Sequence, residues 1–135
     1  MKRYIECGVL VALVITWIAM IPSKTMAIQG NASRDIWAQF SDVNRHDGWL
    51  LGKCESQLQN VSRPDSNGRL SDGIWQYNRG PGNSIASGTW GDFSRRSGIT
   101  GSPLDPIAAA KMTNWAIDAG LLGHWTCAHI LRLVN

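Results

Sequence analysis

Glu55, in Lys53-Cys54-Glu55-Ser56, is the only glutamate after residue 6; every other acid beyond that point is an aspartate. Glutamate forms helices well and ordinarily decorates solvated helix faces. A chain that uses Asp for surface charge and Glu once invites a chemical reading of that position, against composition drift or an ordinary solvated helix-end acid. The chemistry a lone carboxyl does well is general acid catalysis. To protonate a leaving oxygen near neutral pH its pKa must be raised, and burial against apolar groups does this. Leu51 stands one turn before Glu55 and Leu58 shortly after it, in a chain with seven tryptophans. Cys54 and Glu55 are adjacent, so on a helix their side chains point about 100° apart. One can fasten the helix while the other faces a groove.

Asp72 is the candidate second carboxylate. It lies in Ser71-Asp72-Gly73, beside Ile74-Trp75-Gln76-Tyr77. A hydrolytic glycosidase uses two carboxyls, and their separation selects inversion or retention. Ser-Asp-Gly is equally the chemistry of a turn. Trp75 and Tyr77 alternate with Gln76, so one face of this stretch can stack on sugar rings while the other enters the core.

Cys7 falls in the hydrophobic N-terminus, which leaves Cys54 and Cys127 as a pair. Two cysteines in an exported chain read most simply as one disulfide. Closing so long a loop is worth about 4 kcal/mol in the chain-entropy account. The competing reading is a zinc site of His124, Cys127 and His129 with Cys54. Its spacing is poor, because positions 127 and 129 fall on opposite sides of a helix. No metal or cofactor is expected.

These residues need elements to hold them. Residues 1–27 read as a targeting segment: Lys2 and Arg3 at the start, an uncharged run from Val9 to Ile21, and a small-residue cleavage site after Ala27. The run is shorter than the roughly 20 residues that cross a bilayer, so a cleaved signal is favoured over a retained anchor. Removing Lys2, Arg3, Lys24 and Glu6 takes the net charge from +3 to +1. No basic stripe is left, and no nucleic-acid partner is expected.

Residues 28–46 form a lead-in and a first short helix over 34–44, on Ile36, Phe40 and Val43. Residues 47–135 form the main domain. Asp47 caps its first helix, with Leu50, Leu51, Cys54 and Leu58 as the buried stripe and Glu55 near its C-terminal end. Asn60 to Gly101 is rich in Gly, Ser, Asn and Arg and predicts an irregular or hairpin lobe. Asp105-Pro106 opens the clearest helix, with Ile107, Ala110, Trp115 and Ala119 on one face and Gly120 as its stop. A last short helix runs through Cys127, Ile130 and Leu131. Trp37, Trp49 and Trp115 lie on helical stripes and read as core. The expected class is mainly α (α+β), with a helical core and a short irregular or β lobe.

In order along the chain, Cys54-Glu55-Ser56, Gly73-Ile74-Trp75-Gln76, Thr89-Trp90, an alanine-rich helix and Gly123-His124-Trp125-Thr126-Cys127 resemble the lysozyme-like lytic transglycosylases. Within that superfamily the style is that of the resuscitation-promoting factors, small secreted proteins that cleave peptidoglycan. The resemblance spans about residues 47–131. It implies a small lysozyme-like domain in which Glu55 is the catalytic acid and Cys54 pairs with Cys127. Trp75, Gln76, Tyr77, Thr89 and Trp90 would then line the glycan groove. It also implies a mechanism with one carboxyl: Glu55 protonates the glycosidic oxygen, the substrate's N-acetyl group assists, and a 1,6-anhydro product forms. Arg79-Gly80-Pro81-Gly82 lengthens the loop after Gln76 relative to that family. The expected partner is a peptidoglycan glycan strand, met by a monomer outside the cytoplasm. Two other classes compete: a non-catalytic glycan-binding envelope protein, and a small disulfide-fastened effector that acts on a protein.

Overall fold

Asp105 and Pro106 start the longest helix among the described residues. The Asp105 carboxylate accepts hydrogen bonds from the N–H groups of Ile107 and Ala108 at 3.0 and 3.3 Å, and Pro106 stands in the first turn, where no N–H is needed. The computed structural model describes residues 33–134, so the expected leader at 1–27 lies outside the described residues.

In chain order the elements are α1 (Arg45–Ser56), β1 (Ser62–Pro64), β2 (Leu70–Asp72), β3 (Tyr77–Asn78), α2 (Thr89–Ser97), α3 (Pro106–Asp118) and α4 (Thr126–Ile130). Short 3-10 turns at Pro81–Asn83 and Leu122–His124 lie between them. The strands form one antiparallel sheet in the order β1-β2-β3, with Ser62 opposite Asp72 and Ser71 opposite Asn78. The described chain is thus helix-rich, with a small three-stranded sheet and one disulfide, Cys54–Cys127, whose Cα atoms are 5.9 Å apart.

The first helix ends sooner than its periodicity suggests. Residues 33–37 are helical, then the chain turns, and Val43 is 85% exposed. Phe40 turns inward instead, onto Gly48, where a Cβ would overlap the phenyl ring. This places residues 33–46 in the same folded unit as the rest of the described chain. Helix α1 also begins earlier than Asp47. Asn44 stands at its N-cap but spends its side-chain amide on Asn114 and Asp118, so Asp47 sits in the first turn and complements the helix dipole. Its buried stripe is narrow, made of Gly48, Leu51, Gly52 and Ser56, while Leu50 and Leu58 are half-buried and Cys54 is exposed.

Helix α3 buries Ala108, Ala109, Ala110, Met112, Thr113 and Ala116. Ile107 and Trp115 are only half-buried and Ala119 is exposed, so the inward face is turned from the expected one. Trp49 is exposed too, and with Trp37, Asp42, Arg45 and His46 it lines an open groove of about 490 Å³. The core is aromatic. Tyr77 is fully buried, with the rings of Trp90 and Trp125 edge-on to it at 5.0 and 5.5 Å. Such pairs add about 0.5–1.5 kcal/mol beyond the area they bury.

Candidate active site

Helix α1 delivers Glu55 one residue before its end. Ser56 then fastens that end: its buried hydroxyl donates to the Ile74 carbonyl at 2.7 Å and accepts from the Gln59 N–H at 3.0 Å. Two left-handed residues follow, Gln57 (φ 59°) and Leu58 (φ 64°), and the Leu58 N–H reaches back to the Gly52 carbonyl at 3.1 Å. On the far side, the Cys127 N–H in the first turn of α4 donates to Glu55 Oε1 at 3.2 Å. The disulfide from Cys54 to Cys127 ties the same two segments covalently.

Glu55 is half-buried, and its pKa is raised. Burial is the main cause and the nearby charge of Asp65 a smaller one, opposed by the Cys127 N–H. A small polar notch opens at this point, lined by Glu55, Asp65, Gln76, Asn78, Thr89 and the 124–126 stretch, with a cavity volume of about 60 Å³. That is room for a water or two and not for a whole sugar ring. A carboxyl whose pKa is raised by burial beside an open polar notch is suited to give a proton to an oxygen that enters it.

Of the residues expected to line a glycan groove, Gln76 and Thr89 stand at the notch. Gln76 has φ 48°, and its amide donates to the carbonyls of Val61 and Gly73 at 3.0 and 2.7 Å. The three aromatic candidates are core residues instead. Residues 73–76 form a turn into β3, and Trp75 and Tyr77 enter the core while Gln76 faces the notch. Trp75 is 0% exposed, and its indole N–H donates to the Gly48 carbonyl at 2.8 Å. The Tyr77 hydroxyl bonds Thr113 at 2.6 Å, and burial pushes its pKa up. Trp90 is buried against Tyr77.

Asp72 does not reach the notch. It is fully buried at the end of β2, where it takes both prongs of the Arg79 guanidinium at 2.7 and 2.9 Å and the Ser62 hydroxyl. Burial alone would raise its pKa, but the bonds from Arg79 and Ser62 and the Arg79 charge outweigh that and lower it. Arg79 completes an internal ion pair, which gives the first residue after β3 a structural use. The carboxylate that does face the notch is Asp65, a residue the sequence presents only as part of the turn Pro64-Asp65-Ser66-Asn67-Gly68. The signal that could have found it is Asn78, which registers opposite Ser71 across the sheet and reaches Asp65 with its amide at 2.8 Å.

No group of three or more His, Cys, Asp and Glu among the described residues could hold a metal. The sulfurs of Cys54 and Cys127 are bonded to each other, which removes the zinc reading. His129 bonds the Gly123 carbonyl at 3.2 Å, and His124 lies edge-on to Phe93 at 5.0 Å. No protein-family model, curated protein or solved structure matches the chain.

Proposed function

We propose that this protein cleaves the glycan strand of peptidoglycan at its β-1,4 linkages, with Glu55 as the proton donor. The route is the single-glutamate one of lytic transglycosylases, on a lysozyme-like fold. The observation that carries the reading is Glu55 itself: a half-buried carboxyl with a raised pKa at a helix end, across a polar notch from a small sheet. The notch admits the linkage oxygen and its neighbours, and the sugar rings would lie along its rim, where Gln76, Asn78 and Thr89 offer hydrogen bonds. Having Asp72 closed off by Arg79 favours the one-carboxyl route over hydrolysis through Asp72. The disulfide favours an oxidising compartment, as an exported envelope protein would meet. No helix among the described residues is long and apolar enough to cross a membrane.

A second reading draws on the groove beside Trp37 and Trp49. Half-exposed indoles suit sugar stacking, so the same chain could hold a glycan without cutting it. Mass spectrometry of the soluble fragments released from purified peptidoglycan tests both. Anhydro-ended muropeptides are expected from the native protein. Glu55→Gln should lower their release by about 10² to 10⁴, the usual contribution of a general acid. Near-normal release by a folded Glu55→Gln protein would remove the enzyme reading. Binding to the polymer with no release by either protein would select the second.

A further inference from the structure

The sheet carries two aspartates that the fold treats in opposite ways. Asp72 is buried, and Arg79 neutralises it. Asp65 is exposed at the turn between β1 and β2, and its carboxylate is held by four neutral donors. Oδ1 takes the Ser66 N–H at 2.6 Å and the Ser66 hydroxyl at 3.1 Å. Oδ2 takes the Ser71 hydroxyl at 2.9 Å and the Asn78 amide at 2.8 Å. Among the described residues no Lys, Arg or His forms an ion pair with it.

The hold extends beyond the turn. Asn78 receives the Asn67 amide on its own carbonyl oxygen at 3.0 Å, and the Asp65 N–H and carbonyl close the turn onto Arg69 and Gly68. The carboxylate is therefore fixed from β2, β3 and the turn together. Neutral donors fix a carboxylate without cancelling its charge, and here they keep its pKa low against the opposing effect of burial. The charge is left standing in the same notch as Glu55, whose pKa burial raises. Two carboxyls in one cleft whose surroundings push their proton affinities apart divide the roles of acid and anion between them.

We propose that Asp65 is the fixed negative charge of the cleft, a positioning residue that keeps the proton on Glu55 until a leaving oxygen takes it and favours the positive charge that develops on the sugar ring. The second part rests on the glycosidase reading above, because glycoside cleavage passes through an oxocarbenium-like state. In the open notch water screens Asp65, and a bound glycan that displaces water strengthens its field. The other titratable groups on the packed elements are Arg45, His46, Asp47 and Lys53 on α1, Asp105, Lys111 and Asp118 on or flanking α3, His124 in the turn before α4 and His129 on α4. Of these only His124 lines the notch.

The chain has only two glutamates, Glu6 and Glu55, so carboxyl-¹³C glutamate labelling gives a titration curve for Glu55 that needs no activity. In Asp65→Asn that curve should move to lower pH, and Asp65→Glu should restore part of the move. The same changes should be seen in a His124→Gln background. Asp65→Ser keeps a hydroxyl acceptor for the turn and serves if Asp65→Asn does not fold. An unchanged Glu55 titration in either folded variant would overturn the proposal. On peptidoglycan, kcat/KM should fall roughly ten- to a hundredfold and its alkaline limb should shift to lower pH, the cost of one preorganised electrostatic contact. If Glu55→Gln abolishes cleavage but Asp65→Asn leaves rate and limb intact, Asp65 fails and the glycosidase reading stands. If Glu55→Gln still cleaves, that reading fails, and the titration alone then decides the proton-holding role.

Discussion

Cys127 is joined to the Glu55 end of α1 twice. The Cys127 N–H donates to the Glu55 carboxylate at 3.2 Å, and the Cys127 sulfur is bonded to Cys54, the residue immediately before the glutamate. The covalent tie and the hydrogen bond act on neighbouring residues of one helix end, so the contact that orients the acid depends on the link beside it.

Replacing both cysteines by serine should therefore lower stability and activity together. The chain-entropy account puts the stability loss at about 4 kcal/mol for a loop of this length. Thermal unfolding with and without reductant measures it. A midpoint that ignores reductant would mean that packing alone holds α4 against α1.

The raised pKa of Glu55 has a sign that can be checked. Between the ordinary glutamate value and the raised one, the folded state binds more protons than the unfolded state, so stability from this group falls as pH rises through that window. Denaturant unfolding across the window should show native stability falling relative to Glu55→Gln, which lacks the titration. Parallel curves for the two proteins would contradict the raised value. Cleavage should be lost in the same direction, since the acid works only while protonated.

Asp72→Asn should damage the fold and not the chemistry. It removes the charge that Arg79 grips and costs about 1–3 kcal/mol, as leaving a buried partner poorly matched does. The lowered pKa of Asp72 means that its contribution is fully present above the usual carboxylate range and is lost as pH falls through the lowered value. The difference from the native protein should thus shrink in acid. A folded Asp72→Asn protein that loses cleavage as completely as Glu55→Gln would restore Asp72 as a catalytic partner.

Trp75→Phe separates core from groove. It removes the indole N–H bond to the Gly48 carbonyl and should cost about 1 kcal/mol or somewhat more, read as a lower unfolding midpoint. Affinity for peptidoglycan, measured by cosedimentation, should not change. A weakened affinity with unchanged stability would return Trp75 to the sugar.

The parts of the fold that local chemistry dictates are legible in the sequence. Asp105-Pro106 starts α3 through its own hydrogen bonds, and Gly120 follows the helix with φ 69°. The cysteine pairing follows from having two candidates in one exported-looking chain. The aromatic assignments failed because the side that carries Trp75 and Tyr77 is the one the core takes, leaving Gln76 to the notch, and the alternation does not say which side is buried. The choice between Asp72 and Asp65 depended on which of them Arg79 reaches. That is a contact between a strand and a loop, and no spacing in the sequence announces it.

The two left-handed residues after Glu55 narrow what mutation can do at this end of α1. Gln57 and Leu58 occupy backbone space that costs an ordinary side chain about 1–2 kcal/mol each, and β-branched residues fit it worst. Gly, Asn or Asp could replace either with little backbone penalty, whereas Val, Ile or Thr would pull the backbone straight. Sequence drift at 57 and 58 is therefore confined to a few residue types, although neither side chain belongs to the notch.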